Sequence, residues 1–473
     1  MQMPPRIKMP ERAPDIRNKD FKQVNTGYTA EESVAEAKRC LQCPNSSCVK
    51  GCPVEINIPG FIKKLAEGNA PAAIEILKEK NNLPAVCGRV CPQETQCEKH
   101  CILAKKGESI AIGNLERYAA DFKLQSLPHC SGEAAKAEKN SQFSTLNSKL
   151  PLKVAVVGSG PAGLACAGDL AKLGYDVTVF ESLHDTGGVL RYGIPEFRLP
   201  KKVLDSEIDY LKNLGVRFVL NTLIGRTKTV KRLFDEGYKA VFVGVGAGLP
   251  IFLGVEGENL NHVYSANEFL VRVNLMRAYE FPKYDTPVYK GKNVVVVGGG
   301  NTAMDSARTA LRLGAQSVKL VYRRSENEMP ARLEERIHAK EEGVEFITLT
   351  NPVKFIAGQN RCVAGAECVK MELGEPDASG RRRPKKIENS NFIIESDMVV
   401  LALGLNPNPV LASLTDGLNT DKDGYIEIDE NFMTSLNGVF AGGDIAGGDT
   451  VIQAMGMGKK SAKNIHEYLQ RFL

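Results

Sequence analysis

The segment 153–181 constrains the fold of this chain more than any other stretch. An apolar run at 154–157 is typical of a buried parallel strand, a helical pattern covers 162–173, and a second strand ends on Glu181. Between the first strand and the helix stand the glycines of a G-x-G-x-x-G motif, Gly158, Gly160 and Gly163. Strand, glycines, helix, strand and acid in this order predict a dinucleotide-binding βαβ unit, whereas a lone glycine triplet would indicate only a tight turn.

Each residue type in this unit has a chemical reason. Glycines allow a tight turn and let backbone N–H groups at a helix N-terminus approach a pyrophosphate, and an acid at the tip of the second strand can accept hydrogen bonds from a ribose diol. The candidate binding residues are therefore Gly158, Gly160, Pro161, Ala162, Gly163 and Glu181.

A second glycine motif follows an all-valine strand at 294–297 and has the form G-x-G-x-x-A. Its second strand, 318–322, ends on Arg323 and Arg324 rather than on an acid. Guanidinium groups can hold a 2′-phosphate, so the motif predicts NADP(H) rather than NAD(H); the alternative is two surface arginines on a loop. The candidates here are Gly298, Gly300, Asn301, Thr302, Ala303, Asp305, Arg323 and Arg324.

Further stretches favour a flavin dinucleotide, FAD, in the first unit. Strands at 241–248 and 398–405 lead into glycines, and the run 438–444 precedes a helical pattern at 450–469. The positive N-terminus of that helix can stabilise a reduced, anionic flavin, and an aspartate beside it can bind sugar hydroxyls. The candidates from these stretches are Gly246, Gly443, Asp444, Thr450 and Val451.

Eight of the twelve cysteines fall between positions 40 and 101. They form two runs, Cys40-x2-Cys43-x4-Cys48-x3-Cys52-Pro and Cys87-x3-Cys91-Pro-x4-Cys97-x3-Cys101. Disulfides are disfavoured because no signal peptide is apparent, and zinc sites usually pair two C-x2-C units. Two [4Fe–4S] clusters suit the pattern best, and by analogy with two-cluster ferredoxins Cys52 would serve a different cluster from Cys40, Cys43 and Cys48. Spacing alone leaves the remaining ligands unassigned.

Composition sets broad limits on the whole chain of 473 residues. The net charge of +5 is small, no apolar stretch reaches membrane-spanning length, and the N-terminus is polar and proline-rich. We therefore expect a cytoplasmic protein that binds neither nucleic acid nor membrane, with the basic run at 381–386 as a solvated loop. Cys130, Cys166, Cys362 and Cys368 are expected to be ordinary thiols.

The elements predict an α/β chain with two Rossmann-like domains behind a helical module. The expected boundaries are a helical iron–sulfur domain at 1–125, a linker at 126–150, FAD-domain parts at 151–250 and 401–473, and an NADP(H) domain at 251–400. Within the first module we expect an extended arm at 1–24, a helix at 29–42 capped by Thr29 and Glu32, and helices near 59–67, 70–80 and 113–118.

Seven stretches together resemble the NADPH-dependent glutamate synthase small-subunit family, in particular its branch of electron-bifurcating NADH-dependent ferredoxin:NADP+ oxidoreductase large subunits. The stretches that carry the resemblance are 40–62, 87–101, 113–118, 158–164, 187–200, 298–305 and 441–444. The resemblance covers nearly the whole chain. It implies FAD in the first unit, NADP(H) in the second, and a nicotinamide domain inserted in the FAD domain.

The resemblance also implies a ligand set for each of two [4Fe–4S] clusters. One cluster would be held by Cys40, Cys43, Cys48 and Cys101, and the other by Cys52, Cys91, Cys97 and the carboxylate of Glu116. Cys87 would then remain free. In the stretch 187–200, Gly188, Arg191 and Glu196 would lie near the flavin.

The expected function is an oxidoreductase that passes electrons between NADPH, FAD and the clusters, with no side chain acting as a general acid or base. The implied partners are ferredoxin and a smaller, ferredoxin-reductase-like flavoprotein subunit that handles NADH. One alternative is the electron-donating subunit of a glutamate synthase, whose partner is the synthase large subunit. A second alternative, of another class, is a scaffold that holds zinc and senses nucleotides.

Overall fold

The computed structural model describes residues 4–105, 107–126, 152–377 and 380–472, so the expected linker and Cys130 lie outside the described residues. The N-terminal module is helical, as predicted. Its helices are α1 Pro14–Arg17, α2 Ala30–Ala37, α3 Ser47–Lys50, α4 Ile58–Ala66, α5 Ala70–Lys80, α6 Pro84–Val90 and α7 Ile112–Ser126. Single 3₁₀ turns lie at Gln93–Thr95 and Ile102–Lys105.

Local sequence signals explain where several of these helices begin. The Thr29 side chain accepts a hydrogen bond from the Glu32 N–H and the Glu32 side chain accepts one from Thr29, which confirms the predicted capping box. Asn57 and Asn69 cap α4 and α5, each followed by a proline in the first turn. Helix α2 ends at Ala37, earlier than predicted, and Arg39 beyond it is held by the carbonyl groups of Pro4 and Glu108.

The N-terminal arm is packed against the rest of the chain, whereas the sequence predicted an extended arm. Arg17 in α1 is only 1% exposed and donates hydrogen bonds to Glu342 and Glu341 at the end of a helix far along the chain. Residues 4–13 contain no helix, as expected of an extended arm. The sequence did not predict α1 or its anchoring to acceptors far along the chain, at a separation of 325 positions for Glu342.

The first Rossmann-like domain is built from two separate parts of the chain. Its elements are β1 Lys153–Val157, α8 Pro161–Lys172, β2 Asp176–Phe180, α9 Val189–Tyr192, α10 Lys201–Asn213, β3 Arg217–Val219, α11 Val230–Asp235, β4 Tyr238–Val243 and β5 Ala247–Pro250, joined later by β15 Leu405–Pro407, α15 Val410–Ser413, β16 Val439–Ala441 and α16 Val451–Leu469. The sheet is parallel with strand order β16-β4-β1-β2-β3.

The second Rossmann-like domain lies between those two parts. Its elements are β6 Val263–Ser265, α12 Ala266–Leu270, β7 Asn293–Val297, α13 Asn301–Arg312, β8 Ser317–Tyr322, α14 Leu333–Glu341, β9 Glu345–Thr348, β10 Thr350–Ala357, β11 Val363–Pro376, β12 Arg382–Lys386, β13 Phe392–Glu395 and β14 Met398–Leu401. The parallel sheet has the order β6-β14-β7-β8-β9, and β10 to β13 form an antiparallel sheet beside it. The predicted fold class, with a nicotinamide domain inserted in the FAD domain, is confirmed.

The sequence predicted a solvated loop at the basic run 381–386. The structure shows a strand there instead. Residues Arg382–Lys386 form β12, which pairs antiparallel with β11 and keeps most of its side chains exposed. Pairing with a strand about ten residues earlier supplies the backbone hydrogen bonds that a solvated loop would obtain from water. Strands β5 and β15, given above with the first Rossmann-like domain, pair antiparallel where the chain passes between the two Rossmann-like domains.

The iron–sulfur module and the first Rossmann-like domain share one hydrophobic core. Buried residues of α4, α5 and α6 belong to the same cluster as those of β1, α8 and α16. The module is therefore fixed to the sheet by apolar packing as well as by chain connection. Within the described residues, no helix is long and apolar enough to cross a lipid bilayer.

Candidate dinucleotide and iron–sulfur sites

The first glycine motif has the backbone geometry of a phosphate-binding turn. Gly158 has a φ of +98°, and a Cβ at that position would lie 2.4 Å from the carbonyl oxygen of Gly244, so no other residue fits without a shift. Gly160, in contrast, faces open space, with no atom within 4 Å of where its Cβ would stand. Pro161 and Ala162 open α8 directly behind it, so the space before Gly160 fits a pyrophosphate at a helix N-terminus.

Glu181 directly follows β2 beside this turn and is buried. Its Oε2 accepts hydrogen bonds from the Ser159 N–H at 2.9 Å and the Ser159 hydroxyl at 2.5 Å, while Oε1 accepts from the Leu183 N–H at 2.9 Å and the Ser182 hydroxyl at 3.1 Å. A carboxylate has about four acceptor positions, so a ribose hydroxyl here would replace the Ser182 hydroxyl, which belongs to an exposed residue. The sequence analysis did not identify Ser159, although its position inside the glycine motif could have indicated that it lies next to Glu181.

Three other backbone passages converge on the same turn. A Cβ on Gly188 would lie 2.8 Å from the Gly160 Cα, and a Cβ on Gly443 would lie 2.9 Å from the Ala162 Cβ. The chain at 244–246 borders Gly158, and Gly246 itself faces open space. Two of the predicted flavin stretches, 241–248 and 438–444, thus meet at the first glycine turn. The prediction for 398–405 was wrong, because β14 belongs to the second sheet and the Ala402 carbonyl oxygen borders Gly298 of the second glycine motif.

The side chains predicted near the flavin differ in their surroundings. Burial raises the pKa of Asp444 to about 6, with the nearby Asp449 adding to it. Thr450 caps α16, whose first residue is Val451. Arg191 is buried and donates to the Thr186 carbonyl oxygen and to Asp205, and Glu196 accepts from the Lys201 N–H at the start of α10, so both hold the segment 187–200 in shape.

The second glycine motif repeats the geometry of the first. Gly298 has a φ of +143°, and a Cβ there would lie 2.3 Å from the Ala402 carbonyl oxygen, whereas Gly300 faces open space. Asn301 begins α13, Thr302 beside it is exposed, and Ala303 is buried. This arrangement fits a second dinucleotide at the N-terminus of α13.

The two arginines after β8 are not equivalent. Arg323 is exposed, whereas Arg324 is buried and donates to Asp377 at 2.7 Å and to the Arg382 carbonyl oxygen at 2.8 Å. Asp305 is also committed to the protein, because it accepts from Arg198 at 2.6 Å. Burial raises the pKa of Asp305 to about 6, although Arg198 opposes the shift. Arg323 is therefore better placed than Arg324 to meet a 2′-phosphate.

The surface set of cysteines consists of Cys40, Cys43, Cys48 and Cys101. All four line one apolar pocket, together with Ile58, Ile62 and Ile112, and all four are partly exposed. Burial, followed by the neighbouring Cys101 and Cys40, raises the pKa of Cys48 to about 11. Thiols that crowd together in this way fit a metal cluster, which would replace their protons with positive charge.

The buried set consists of Cys52, Cys87, Cys91, Cys97 and Glu116. The Cys87 thiol, followed by burial, raises the pKa of Cys91 well above its ordinary value. Burial raises the pKa of Cys97, and the neighbouring Glu98, Cys52 and Glu116 add to the shift. Cys40, Cys43, Cys48 and Cys101 thus share a pocket from which the other candidates are absent, and the assignment of both ligand sets, including the fourth ligand of the buried set, stays a prediction.

Glu116 and Cys87 are the two candidates for that fourth position. Burial raises the pKa of Glu116 to about 8, and its Oε1 accepts from the Asn81 side-chain amide at 2.8 Å. The Cys87 sulfur lies 3.5 Å from the Met455 sulfur of α16. Asn81, which the sequence analysis did not identify, orients the Glu116 carboxylate. The pair of polar residues Asn81-Asn82 between two apolar helices could have indicated this role.

The buried set lies next to the flavin helix. A Cβ on Gly456 of α16 would lie 2.8 Å from the carbonyl oxygen of Pro53, the residue after Cys52. The first turn of α16 is the candidate flavin contact. Cys52, Cys87 and Cys91 of the buried set belong to the same hydrophobic core as Ala162 of the first glycine turn. Cys40, Cys48 and Cys101 of the surface set pack against the edge of that core.

Two family models match the chain. Residues 17–127 match dihydropyrimidine dehydrogenase domain II, 4Fe-4S cluster, and residues 152–458 match pyridine nucleotide-disulphide oxidoreductase. The glutamate synthase [NADPH] small chain of Halomonas elongata is 38% identical over 97% of this chain and 96% of that protein. The NADPH-Fe(3+) oxidoreductase subunit beta of Geobacter sulfurreducens is 36% identical over 96% of this chain and 68% of that protein.

Among solved structures, Mycobacterium tuberculosis FprA in complex with NADPH superposes with a TM-score of 0.56 at 20% identity, covering 68% of this chain and 85% of that one. At this identity the likeness concerns the fold alone. The family matches confirm the predicted oxidoreductase activity and the cofactor set of FAD, NADP(H) and [4Fe–4S] clusters. The chain belongs to the glutamate synthase small-chain family of NADPH-dependent flavin and iron–sulfur oxidoreductases.

Proposed function

We propose that this chain is the NADPH-binding subunit of a two-subunit, electron-bifurcating oxidoreductase. Its partner would be a smaller, ferredoxin-reductase-like flavoprotein that handles NADH. For every two NADPH oxidised, four electrons leave: two reduce one NAD+ to NADH, and two reduce two ferredoxins by one electron each. The resemblance of the seven stretches taken together to this branch of the family supports the proposal.

The observation that carries the redox part of the proposal is the hydrophobic core that contains Cys52, Cys87, Cys91 and the buried face of α16, with Cys40, Cys48 and Cys101 packed against its edge. Bound FAD supplies the exchange between the two-electron chemistry of nicotinamides and the one-electron chemistry of clusters. The chain itself positions these groups. Gly160 and Gly300 leave room for two pyrophosphates, and the N-terminus of α16 offers positive potential. Burial keeps water from Cys52, Cys87 and Cys91 of the second cysteine set.

A second candidate is the electron-donating subunit of a glutamate synthase. The near-full-length match to glutamate synthase small chains favours it. In that case the chain would dock on a synthase large subunit, which would carry out the amide transfer to 2-oxoglutarate.

Reconstitution separates the two candidates. Anaerobic protein is mixed with NADPH and ferredoxin, with the small flavoprotein, and with or without NAD+. Ferredoxin reduction that requires NAD+ supports bifurcation, and ferredoxin reduction that ignores NAD+ contradicts it. Glutamate formation from glutamine and 2-oxoglutarate with a synthase large subunit supports the second candidate. Purified protein with zinc but neither iron nor flavin would contradict both and support a nucleotide-sensing scaffold.

The coenzyme assignment has its own test in the two arginines. Arg323→Ala should raise KM for NADPH roughly 30-fold, because a charged hydrogen bond contributes about 2 kcal/mol, and should leave KM for NADH nearly unchanged. Arg324→Ala is the matched variant. It should affect both coenzymes alike, because Arg324 holds the loop through Asp377. An NADPH-selective effect in Arg324→Ala alone would contradict this assignment.

A further inference from the structure

Residues Ala331 and Arg332 attach to the second glycine motif through their backbone. The Ala331 N–H donates to the Gly299 carbonyl oxygen at 3.1 Å, and the Arg332 N–H donates to the Asn301 Oδ1 at 3.0 Å. Gly299 and Asn301 both belong to the motif that forms the floor of the candidate NADP(H) site. A change in this motif is therefore transmitted directly to the backbone of Arg332.

The side chain of Arg332 reaches in the opposite direction, into the iron–sulfur module. The side chain is 9% exposed, and it donates to the Arg89 carbonyl oxygen and to the Gln93 Oε1, each at 3.0 Å. Arg89 lies in α6 between Cys87 and Cys91, and Gln93 lies between Cys91 and Cys97. Arg332 thus holds the backbone that carries the buried set.

Gln93 extends the contact to the rest of the buried set. Its side-chain amide donates to the Cys87 carbonyl oxygen at 3.3 Å. The same amide nitrogen lies 2.3 Å from where a Cβ on Gly113 would stand, so Gln93 packs directly on α7 one turn before Glu116. A chain of contacts therefore runs from the nucleotide motif through Arg332 and Gln93 to both halves of the buried set, without passing through the flavin sheet.

We propose that Arg332 is a positioning residue that couples occupancy of the NADP(H) site to the reduction potential of the cluster held by the buried set. A dinucleotide at the N-terminus of α13 brings negative charge next to Asn301, the acceptor of the Arg332 N–H. Any displacement of the guanidinium group changes both the positive potential and the hydrogen bonding around the buried cluster, and both affect its reduction potential. The inference requires the cofactor sites but no particular partner subunit.

Coupling of this kind is reciprocal. If the bound nucleotide lowers the potential of the cluster, reduction of the cluster must weaken nucleotide binding by the same free energy. Because only a few hydrogen bonds carry the contact, those of the Arg332 side chain and that of the Leu333 N–H to Glu94, we expect the low end of the usual range, a roughly fivefold difference in affinity. For a one-electron couple, this difference equals a shift of about 40 mV.

The test is a redox titration of the holoprotein, followed by electron paramagnetic resonance, with and without saturating 2′-phospho-ADP-ribose. This probe has the pyrophosphate and the 2′-phosphate but no nicotinamide, so it is not itself reduced. In the wild type the potential of the buried cluster should fall by about 40 mV. Arg332→Gln should keep its iron and lose most of the shift, and Arg332→Lys, which retains the charge, should recover part of it.

Arg336→Gln is the matched control. Arg336 lies one turn further along α14 and donates to the Glu326 carbonyl oxygen, within its own domain. In Arg336→Gln, the potential of the buried cluster should fall on addition of the probe as it does in the wild type. An equal shift in Arg332→Gln would mean that charge acts through space without Arg332, and no shift in the wild type would mean no coupling; either result overturns the proposal.

Hydrogen exchange keeps the proposal testable if Arg332→Gln fails to assemble its cluster. In the wild type, the probe should change exchange at amides in 87–101, and unchanged exchange there would overturn the proposal. NADPH oxidation and the partner assays report on the proposed function separately, so failure of the coupling and failure of that function are distinguishable.

Discussion

The surface set and the buried set offer similar ligands in opposite environments. The surface set lies in an apolar pocket beside Leu41 and Ile102, which are 52% and 39% exposed. The buried set lies in the core shared with the first Rossmann-like domain, against α16. The difference teaches that one candidate cluster site is part of the folded core, whereas the other opens to the surface, where we propose that electrons leave.

The predicted ligands of the two sets differ in chemical type as well. The surface set consists of four thiols, whereas the buried set includes the Glu116 carboxylate, oriented by Asn81. A carboxylate is a harder ligand than a thiolate, and its hydrogen-bond partner tunes the metal as well. We therefore expect the potential of the buried cluster to respond to neighbouring residues, among them Gln93 and Arg332 as proposed above.

The largest contrast is expected between Cys91→Ser and Cys43→Ser. Each should lose about half of the iron. Cys91→Ser should also lower the free energy of unfolding by several kcal/mol, because binding energy in a buried metal site is folding energy. Cys43→Ser should unfold close to the wild type. Iron analysis and thermal unfolding measured by circular dichroism check this, and equal losses of stability would break the comparison.

Metal removal should expose the same contrast without mutation. A chelator added to the oxidised protein should release iron in two phases of similar amplitude, the fast phase coming from the partly exposed surface set. The Cys43→Ser protein should lack the fast phase. A single phase in the wild type would show that both sites are equally accessible.

Glu116→Cys should keep the buried cluster and change its potential. Carboxylate and thiolate carry the same charge, so we expect a shift on the order of tens of mV, smaller than when neutral histidine replaces cysteine. Redox titration of both clusters measures it, with the surface cluster as internal reference. An unchanged potential would mean that Glu116 is not a ligand.

The smallest effect is expected for Cys87→Ala. If Cys87 is free, its removal leaves a small cavity and costs about 1 kcal/mol of stability, with full iron content. Loss of one cluster in this variant would instead assign Cys87 as the fourth ligand and Glu116 as its neighbour.

Much of the local structure was predictable because its causes are local. The glycine motifs, the strands before them and the caps at Thr29 and Thr450 depend on steric limits and hydrogen bonds within a few residues. The division of the cysteines between the two cluster sites could be predicted only in part from their spacing. Spacing separated Cys52 from Cys40, but the return of Cys101 to the surface set depends on how the module folds.

The sequence by itself therefore determined the two dinucleotide units, the iron–sulfur chemistry and the family, since each is written in residues a few positions apart. Only the tertiary structure decided that Arg324 and Asp305 are taken up by ion pairs, that the arm is anchored through Arg17, and that Arg332 joins the nucleotide motif to the buried set. These contacts link residues 53 to 325 positions apart, and no local pattern specifies which distant charges will be buried together.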